Sequence, residues 1–202
     1  MIIMKIGVIS DIHGYLEPLQ SALALFDHHK VDQIICAGDL ADGGDDGEAV
    51  VELLRARDIL CVQGNHDRDA FVDQAWLRRN LRAAGETTST ALLNSETVAY
   101  LSGLPLALHF VWEGVSACIA HGTPTSNTTY LFPESPQERW DEALSQTDAD
   151  VVILGHTHVP MAVQKGQRWV LNPGSVARNR FADTRTCAIL TLPDVHFSVY
   201  TI

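Results

Sequence analysis

Positively charged side chains are scarce in this chain of 202 residues, with 14 Lys and Arg against 25 Asp and Glu and a formal net charge of −11. Nucleic-acid backbones and anionic membrane surfaces attract basic proteins, so this balance argues against either as a main partner. We therefore expect no stable nucleic-acid complex. Bound divalent cations would still reverse the sign of the charge locally.

Long apolar runs are missing as well. No stretch approaches the roughly 20 apolar residues of a membrane-spanning helix. The apolar segment 1–10 leads directly to Asp11, without a charged n-region or a small-residue cleavage site, so we interpret it as a first strand and not as a signal peptide. No membrane association is expected.

The cysteine spacing typical of disulfide frameworks and metal-thiolate sites is absent too. The four cysteines show no CxxC pattern, and each lies in or beside an apolar run: Cys36, Cys61, Cys118 and Cys187. They are predicted to be buried, reduced thiols, which suits a cytoplasmic protein. Repeats, linkers and low-complexity segments are also missing. With 46% hydrophobic residues, the chain is expected to fold as a single domain, residues 1–202.

The chain does contain a series of short apolar runs. In its first half, these runs alternate with segments whose apolar residues have helical spacing. The predicted strands are 2–9, 31–37, 59–63, 106–112, 115–120, 151–154, 161–164, 169–171, 186–192 and 197–202. The predicted helices are 15–29, 48–57, 68–81, 95–101 and 136–146, with a polar break at 84–90. The first half indicates a parallel sheet and the second half antiparallel pairs. The predicted fold is therefore α/β, with two mixed β-sheets packed as a sandwich and flanked by helices.

Side chains that bind metals recur where these apolar runs end. The run 31–37 ends in Gly38-Asp39, and ligands of open α/β folds bind at the carboxyl edge of the sheet. Four other strand ends carry similar residues: Asp11 and His13, Asn65 and His66, His121, and His156 with His158. We expect the fold to bring these five segments together.

Seven of these positions form a mixed oxygen and nitrogen ligand set: Asp11, His13, Asp39, Asn65, His121, His156 and His158. Such a set suits manganese, iron, zinc, cobalt or nickel better than calcium. Seven ligands are too many for one ion but suit two ions that share one carboxylate, which we predict to be Asp39. Two metals about 3.5–4 Å apart clamp the attacking and leaving oxygens of a phosphoryl displacement and lower the pKa of a bound water toward about 7.

His66 is the predicted general acid. It lies beside Asn65, so a protonated imidazole there would reach the leaving group. Asp67 is predicted to orient this imidazole and hold its proton, as carboxylates commonly do for functional histidines.

The motifs as a set resemble the calcineurin-like metallophosphoesterases. The matching blocks, in that family's order, are Asp11-x-His13, Gly38-Asp39, Gly64-Asn65-His66-Asp67, His121-Gly122 and Gly155-His156-Thr157-His158. The segments 120–124 and 171–176, with Arg178, resemble its small bacterial and archaeal phosphodiesterase branch. The resemblance implies a four-layer αββα fold. It also implies a first metal on Asp11, His13 and His158, a second on Asn65, His121 and His156, and Asp39 as the bridge.

Some residues near these motifs allow two interpretations. Arg178 is predicted to bind the substrate phosphate, with Arg180 as a weaker candidate. Tyr15 stands where relatives commonly have a small polar residue; it starts a helix, narrows the pocket or stacks on a base. Asp42, Asp45 and Asp46 form a solvated loop or repel highly anionic substrates. Tyr130 and Phe132 form an aromatic wall or anchor the long loop 122–136, and Asn172-Pro173-Gly174 is interpreted as a turn.

We therefore predict a two-metal phosphodiesterase that hydrolyses small phosphodiesters or nucleotides by attack of metal-bound hydroxide, with manganese as the expected metal. The alternatives are a phosphomonoesterase, a phosphoprotein phosphatase or a dinucleoside-polyphosphate hydrolase, and a non-catalytic interaction scaffold on the same fold. The resemblance also implies a homo-oligomer, although no sequence pattern indicates an interface.

Overall fold

The computed structural model describes residues 3–84 and 92–202. The strands are β1 (Met4–Ile9), β2 (Gln33–Cys36), β3 (Leu60–Cys61), β4 (Ala107–Trp112), β5 (Val115–Ala120), β6 (Val151–Ile153), β7 (Met161–Lys165), β8 (Arg168–Asn172), β9 (Thr186–Leu192) and β10 (His196–Thr201). The helices are α1 (Leu16–His29), α2 (Gly47–Ala56), α3 (Asn65–Ala84), α4 (Ser95–Ser102) and α5 (Gln137–Ser145).

Both sheets have five strands and a mixed character. The first has the order β10-β9-β1-β2-β3, with β1, β2 and β3 parallel and β9 antiparallel to β1. The second has the order β4-β5-β6-β8-β7, with a parallel centre and an antiparallel strand at each edge. The predicted arrangement of two mixed sheets is confirmed.

The alternation of side chains along β1 explains how the layers form. Ile6 and Val8 point between the two sheets and are fully buried. Gly7 points the other way, toward α1, and a Cβ atom there would lie 2.7 Å from Cδ2 of Phe26. The missing side chain lets α1 pack close to the sheet, because a strand presents successive residues to opposite faces.

Three hydrophobic clusters join four layers. The first lies between the sheets, the second between the first sheet and helices α1 and α2, and the third between the second sheet and α5. In the third cluster the Trp140 side chain is 1% exposed, so α5 is fixed on the second sheet by its largest residue. Each fully buried large apolar side chain contributes roughly 1.5–3 kcal/mol relative to its exposed state.

Element boundaries differ from the predictions mostly by one or two residues. The main exceptions are β3, which covers only two of the five predicted residues, and α3, which begins at Asn65 and not at 68. Ile2 and the polar segment 85–90 lie outside the described residues. Within the described ranges, none of the helices combines the length and apolar character that a bilayer crossing requires. All four cysteines are free and buried, as predicted.

Backbone hydrogen bonds tie the carboxyl ends of the central strands to one another. The Asp11 N–H donates to the Gly38 carbonyl at 2.9 Å, which joins the loops after β1 and β2. The Gly155 N–H donates to the His121 carbonyl at 2.8 Å, which joins the loops after β5 and β6. The Ala177 N–H then donates to the Asp11 carbonyl at 3.1 Å, so the loops of both sheets meet at one edge.

Candidate metal centre

The predicted ligand residues converge at this edge of the sandwich. Two groups of side chains have ligand atoms within 4.8 Å of one another, namely Asp11, His13 and His158, and Asp39, His121 and His156. A further group combines His13, Asp39 and His66. The structure thus brings together predicted ligand residues from loops far apart in the chain. The second group holds Asp39 with His121 and His156, whereas the resemblance implied Asn65 with these two histidines.

The histidine rings are oriented by the backbone. Nδ1 of His13 lies 2.8 Å from the Asp42 carbonyl, Nδ1 of His121 2.7 Å from the Ala37 carbonyl, and Nδ1 of His158 2.9 Å from the Arg178 carbonyl. A carbonyl oxygen can only accept, so Nδ1 carries the proton in each ring. Nε2 is therefore the atom presented to the cluster, in the pattern that holds histidine ligands of metals.

Several ligand atoms in the cluster lack a partner of the protein's own. Oδ1 of Asp11 and Nε2 of His156 are buried and have no hydrogen-bond partner. Nε2 of His158 lies 3.1 Å from Nε2 of His13 and 3.2 Å from Oδ1 of Asp11, so one cation among these atoms would engage all three. Buried polar atoms are normally paired, and divalent cations would satisfy all four at once. The residues present therefore fit a metal centre.

Asp39 lies between the two groups. Its Oδ2 atom is 3.1 Å from Nε2 of His121 and 3.8 Å from Nε2 of His13. Its Oδ1 atom accepts the backbone N–H of His66 at 3.0 Å, which fixes the carboxylate plane. Oδ1 of Asn65 lies 3.2 Å from Nε2 of His121 and so belongs to the second group. These positions suit Asp39 as the shared ligand.

Five of the ligand residues have a left-handed backbone conformation. The φ angles are 52° at Asp11, 50° at His13, 56° at Asp39, 66° at His156 and 59° at His158. Non-glycine residues rarely adopt this region, and each instance costs of order 1–3 kcal/mol unless its surroundings enforce it. The strain is concentrated at the ligands, where it directs the side chains inward from the strand ends.

Two glycines permit the close approach of these loops. A Cβ atom at Gly64 would lie 1.9 Å from Oδ1 of Asp39, and one at Gly155 would lie 2.0 Å from Oγ of Ser10. Any side chain at these two positions would displace a ligand or the residue that supports it. The glycines that precede Asn65 and His156 are thus required by the packing of the centre.

Burial and mutual charge shift the pKa values of the ligands. Burial lowers the pKa of His156 to about 4, so this ring is neutral at pH 7. Burial also disfavours the charged form of His121, but Asp39 and Asp11 outweigh it and raise the pKa of His121 to about 9. Without a cation, a proton on His121 thus offsets the buried carboxylates. Metal binding would displace this proton, as it does wherever ligands must be deprotonated.

His66 is paired with a carboxylate that the sequence did not single out for this role. Nδ1 of His66 lies 2.5 Å from Oδ2 of Asp42, and this hydrogen bond raises the pKa of His66 to about 9. The same bond lowers the pKa of Asp42. The His66 ring centroid is 5.0 Å from that of His13, so a protonated imidazole lies beside the ligand cluster with its Nε2 atom available.

The predicted role of Asp67 as the partner of the His66 imidazole is wrong. The Asp67 carboxylate accepts the backbone N–H groups of Asp39, Leu40 and Gly64, each at 2.9 Å. The reason is that α3 already begins at Asn65, and adjacent residues of a helix do not face each other. Asp67 instead fastens the loop that carries Asp39 to the start of α3. Burial raises its pKa to about 7.

Several residues that support the ligand loops were not predicted from the sequence, or were predicted only as part of a turn. Nδ2 of Asn172 donates to the Gly155 carbonyl at 2.7 Å, and its Oδ1 accepts the Gly174 N–H at 2.8 Å. Oγ of Ser175 donates to the Asp11 carbonyl at 2.9 Å, and Oγ of Ser10 donates to the Asp11 carboxylate at 2.7 Å. The 172–174 segment is a turn, as interpreted, but it also holds the ligand loops. Adjacency to the motifs was the only available signal.

A cavity of about 710 Å³ opens beside His13 and His158. Tyr15, Arg178 and Arg180 line it. Tyr15 immediately precedes α1 and is one of the residues that line the cavity. The Arg178 side chain is 73% exposed and its Nε lies 3.5 Å from Oδ1 of Asp183, which leaves the predicted phosphate contact of Arg178 untested. In the acidic loop, Asp45 and Asp46 are exposed.

The long loop after β5 contributes an aromatic contact to the centre. The Tyr130 ring stacks on the His156 ring, with centroids 3.8 Å apart and an interplanar angle of 18°. Phe132 stacks in turn near Tyr130, with centroids 5.9 Å apart. The aromatic residues of the loop thus stack on one of the candidate ligands.

The fold is shared with solved structures of other proteins. A crystal structure of a metallophosphoesterase from Sphaerobacter thermophilus aligns over 98% of this chain and 88% of its own, with a TM-score of 0.77 and 24% identity. Vps29 from Entamoeba histolytica, in complex with zinc, aligns over 98% of both chains with a TM-score of 0.58 and 18% identity. These likenesses show that the fold is that of the solved metallophosphoesterase structure over nearly the whole chain.

Sequence comparison gives the family. The model of the calcineurin-like phosphoesterase superfamily domain matches residues 4–194, and the chain belongs to that family. The phosphodiesterase YfcE of Escherichia coli K12 is 30% identical over 185 residues, which cover 86% of this chain and 80% of the relative. The predicted resemblance is confirmed. Membership of this family implies divalent metal ions, for which the structure offers the ligand groups described above.

Proposed function

We propose that the chain is a phosphodiesterase that uses two divalent metal ions to hydrolyse small phosphodiesters or nucleotides. The observation that carries this proposal is the pair of ligand groups that meet at Asp39, with the His66 ring beside them. The E. coli relative named a phosphodiesterase supports the diester class. The mixed oxygen and nitrogen ligands suit manganese, iron, zinc, cobalt or nickel, of which we propose manganese.

In the proposed reaction the ions, when bound, activate water and offset the charge that develops on phosphorus. Asp11, His13 and His158 would hold one ion, and Asn65, His121 and His156 would hold the other. Asp39 would offer its carboxylate to both, and its Oδ1 atom accepts the backbone N–H of His66.

His66 supplies the proton for the leaving group. Asp42 holds Nδ1–H, so Nε2–H is the free donor. A water that has released one proton to solvent adds to phosphorus as the ester P–O bond breaks, and the Nε2 proton of His66 passes to the departing alkoxide oxygen. General acid catalysis of this kind contributes about 10²–10⁴-fold. The raised pKa of His66, about 9, keeps the ring protonated at neutral pH.

The alternatives rest on the same centre. A phosphomonoesterase would use identical ligands and differ only in contacts to the second ester group. A non-catalytic scaffold would not need the Asp42–His66 pair. An exposed ion pair contributes only about 0–1 kcal/mol to folding stability, so the pair matters more for catalysis than for the fold. We further propose that residues 1–202 act as one domain and, from the four free cysteines, that the protein is cytoplasmic.

Elemental analysis and turnover of the purified protein test this function together. We expect close to two metals per chain after loading with Mn²⁺, and hydrolysis of bis(p-nitrophenyl) phosphate in preference to p-nitrophenyl phosphate. A chelator should remove both the bound metal and the activity. A preference for the monoester would replace the proposal with a phosphatase. Bound metals with no turnover of either ester would favour the scaffold.

Replacement of Asp42 by asparagine tests the pair with His66. Because the amide cannot hold a positive ring as the carboxylate does, kcat for an alkyl phosphodiester is expected to fall about 10–100-fold. The pKa of His66 would fall from about 9 toward its ordinary 6.5, so the alkaline limb of the pH–rate profile would move to lower pH. D45N removes the same charge from the same loop and serves as the control. An unchanged alkaline limb in D42N would contradict the assignment of Asp42.

A further inference from the structure

The cavity beside the centre differs in charge from the rest of the protein. It has about 710 Å³ of space, which is more than a scissile phosphate alone would fill. Its lining includes two arginines, Arg178 and Arg180, and a single carboxylate, Asp183. In a chain with a net charge of −11, this lining is positive even before metal ions are added. A local field of this kind favours an anionic substrate.

The two arginines are engaged differently. Arg178 faces Asp183, with Nε 3.5 Å from the carboxylate, so its charge is already partly balanced. Arg180 has no carboxylate partner within the described part of the chain. Its Cζ lies 4.8 Å from the centroid of the Tyr130 ring and 5.8 Å from that of Phe132. Its Nη2 atom is 3.4 Å from the Tyr130 hydroxyl.

Stacking places Arg180 against the aromatic ring that covers the His156 ligand. The His156 ring covers one face of Tyr130, with centroids 3.8 Å apart, so the guanidinium lies over the other face. The order is therefore His156, Tyr130, Arg180. A guanidinium over an aromatic face keeps its N–H groups free at the edge, where they suit the bidentate geometry of phosphate. The Tyr130 ring therefore lies between this cation and the His156 ligand.

We propose that Arg180, held over Tyr130, binds a second phosphate of the substrate, and that the preferred substrates are nucleotide phosphodiesters with a further phosphate beyond the scissile one. This inference rests on the proposed phosphodiesterase function and names the substrate class of that same site. Arg178 is partly balanced by Asp183, whereas Arg180 lines the same cavity with no carboxylate partner among the described residues, and the Tyr130 ring lies between it and the His156 ligand.

Two chromogenic substrates test the proposal. Both are p-nitrophenyl esters of thymidine 5′-phosphate, and one carries an added 3′-phosphate, so the same bond breaks and only the distal phosphate differs. We expect the Mn²⁺-loaded protein to prefer the 3′-phosphorylated substrate by about 10–100-fold in kcat/KM, the range of a charge-assisted hydrogen bond. R180Q is expected to bring the ratio of the two kcat/KM values close to 1. R180K should keep part of the preference, since it retains the charge but not the fork.

R57Q is the matched control, because Arg57 pairs with Asp27 at the surface. This variant loses the same charge and should keep the preference of the unmodified protein. A ratio near 1 in the unmodified protein, or a preference that survives in R180Q, would overturn the role of Arg180 while leaving the phosphodiesterase function in place.

Product binding provides a second measurement that needs no turnover. Thymidine 3′,5′-bisphosphate should bind more tightly than thymidine 5′-phosphate in calorimetry, and R180Q should remove the difference. If neither chromogenic ester is cleaved, the proposed function fails, and this binding difference alone decides on Arg180. Equal affinity of the two products in the unmodified protein would then overturn the inference.

Discussion

Replacement of Asp39 by asparagine is expected to lower kcat for phosphodiester hydrolysis by about 10³-fold or more, because two metal ions together supply several kcal/mol of charge stabilisation. Oδ2 of Asp39 lies 3.1 Å from Nε2 of His121 and 3.8 Å from Nε2 of His13, one from each ligand group. The neutral amide would offer a weaker ligand at the point that both groups share. Elemental analysis of D39N should show fewer than two metals per chain.

Thermal unfolding separates this effect from general damage to the fold. A ligand that binds only the native state raises its stability in proportion to the logarithm of its concentration over Kd. The rise in Tm on addition of Mn²⁺ should therefore be smaller for D39N than for the unmodified protein. D27N, which removes a carboxylate from a surface ion pair with Arg57, is expected to show the full rise. Two metals and full activity in D39N would refute the bridging role.

The fold, and the meeting of the candidate ligands at one edge of it, could be predicted from the sequence for a physical reason. Buried parallel strands are continuous apolar runs, and their carboxyl ends meet at one edge whatever the details of the loops. Asp39, His121 and His156 each follow such a run directly, so their convergence required only the topology. Side chains inside the runs, such as Ile6 and Val8, contribute to the core and not to the site.

The contacts that surround the ligands could not be predicted, because they depend on the conformation of the loops. Asp67 adjoins His66 in sequence, yet the start of α3 at Asn65 turns the two side chains apart. Asp42 lies 24 residues away and reaches the imidazole because its loop folds back over His13. The left-handed backbone at the ligands and the stacking of Tyr130 on His156 depend on local geometry in the same way. Sequence patterns report periodicity and spacing but not these turns.

Replacement of His66 by glutamine is expected to lower kcat by about 10²–10⁴-fold for a phosphodiester with an alkyl leaving group. The same variant should lose far less with a p-nitrophenyl leaving group, since nitrophenolate departs without a proton. The reason lies in the free Nε2–H of a ring that Asp42 holds through Nδ1. Glutamine preserves a polar side chain at the start of α3 but cannot transfer a proton. Parallel kinetics with methyl and p-nitrophenyl esters measure the difference.

The leaving-group dependence distinguishes proton donation from a structural role. If His66 only supported the metal centre, H66Q would lose metal and would slow both esters equally. If it donates the proton, the metal content should stay unchanged and the loss should grow as the leaving group becomes more basic. His109, an exposed residue of β4, provides the matched control H109Q, for which neither ester should slow. Equal losses on both esters with full metal content would leave His66 as a group that binds the phosphate and does not protonate the leaving oxygen.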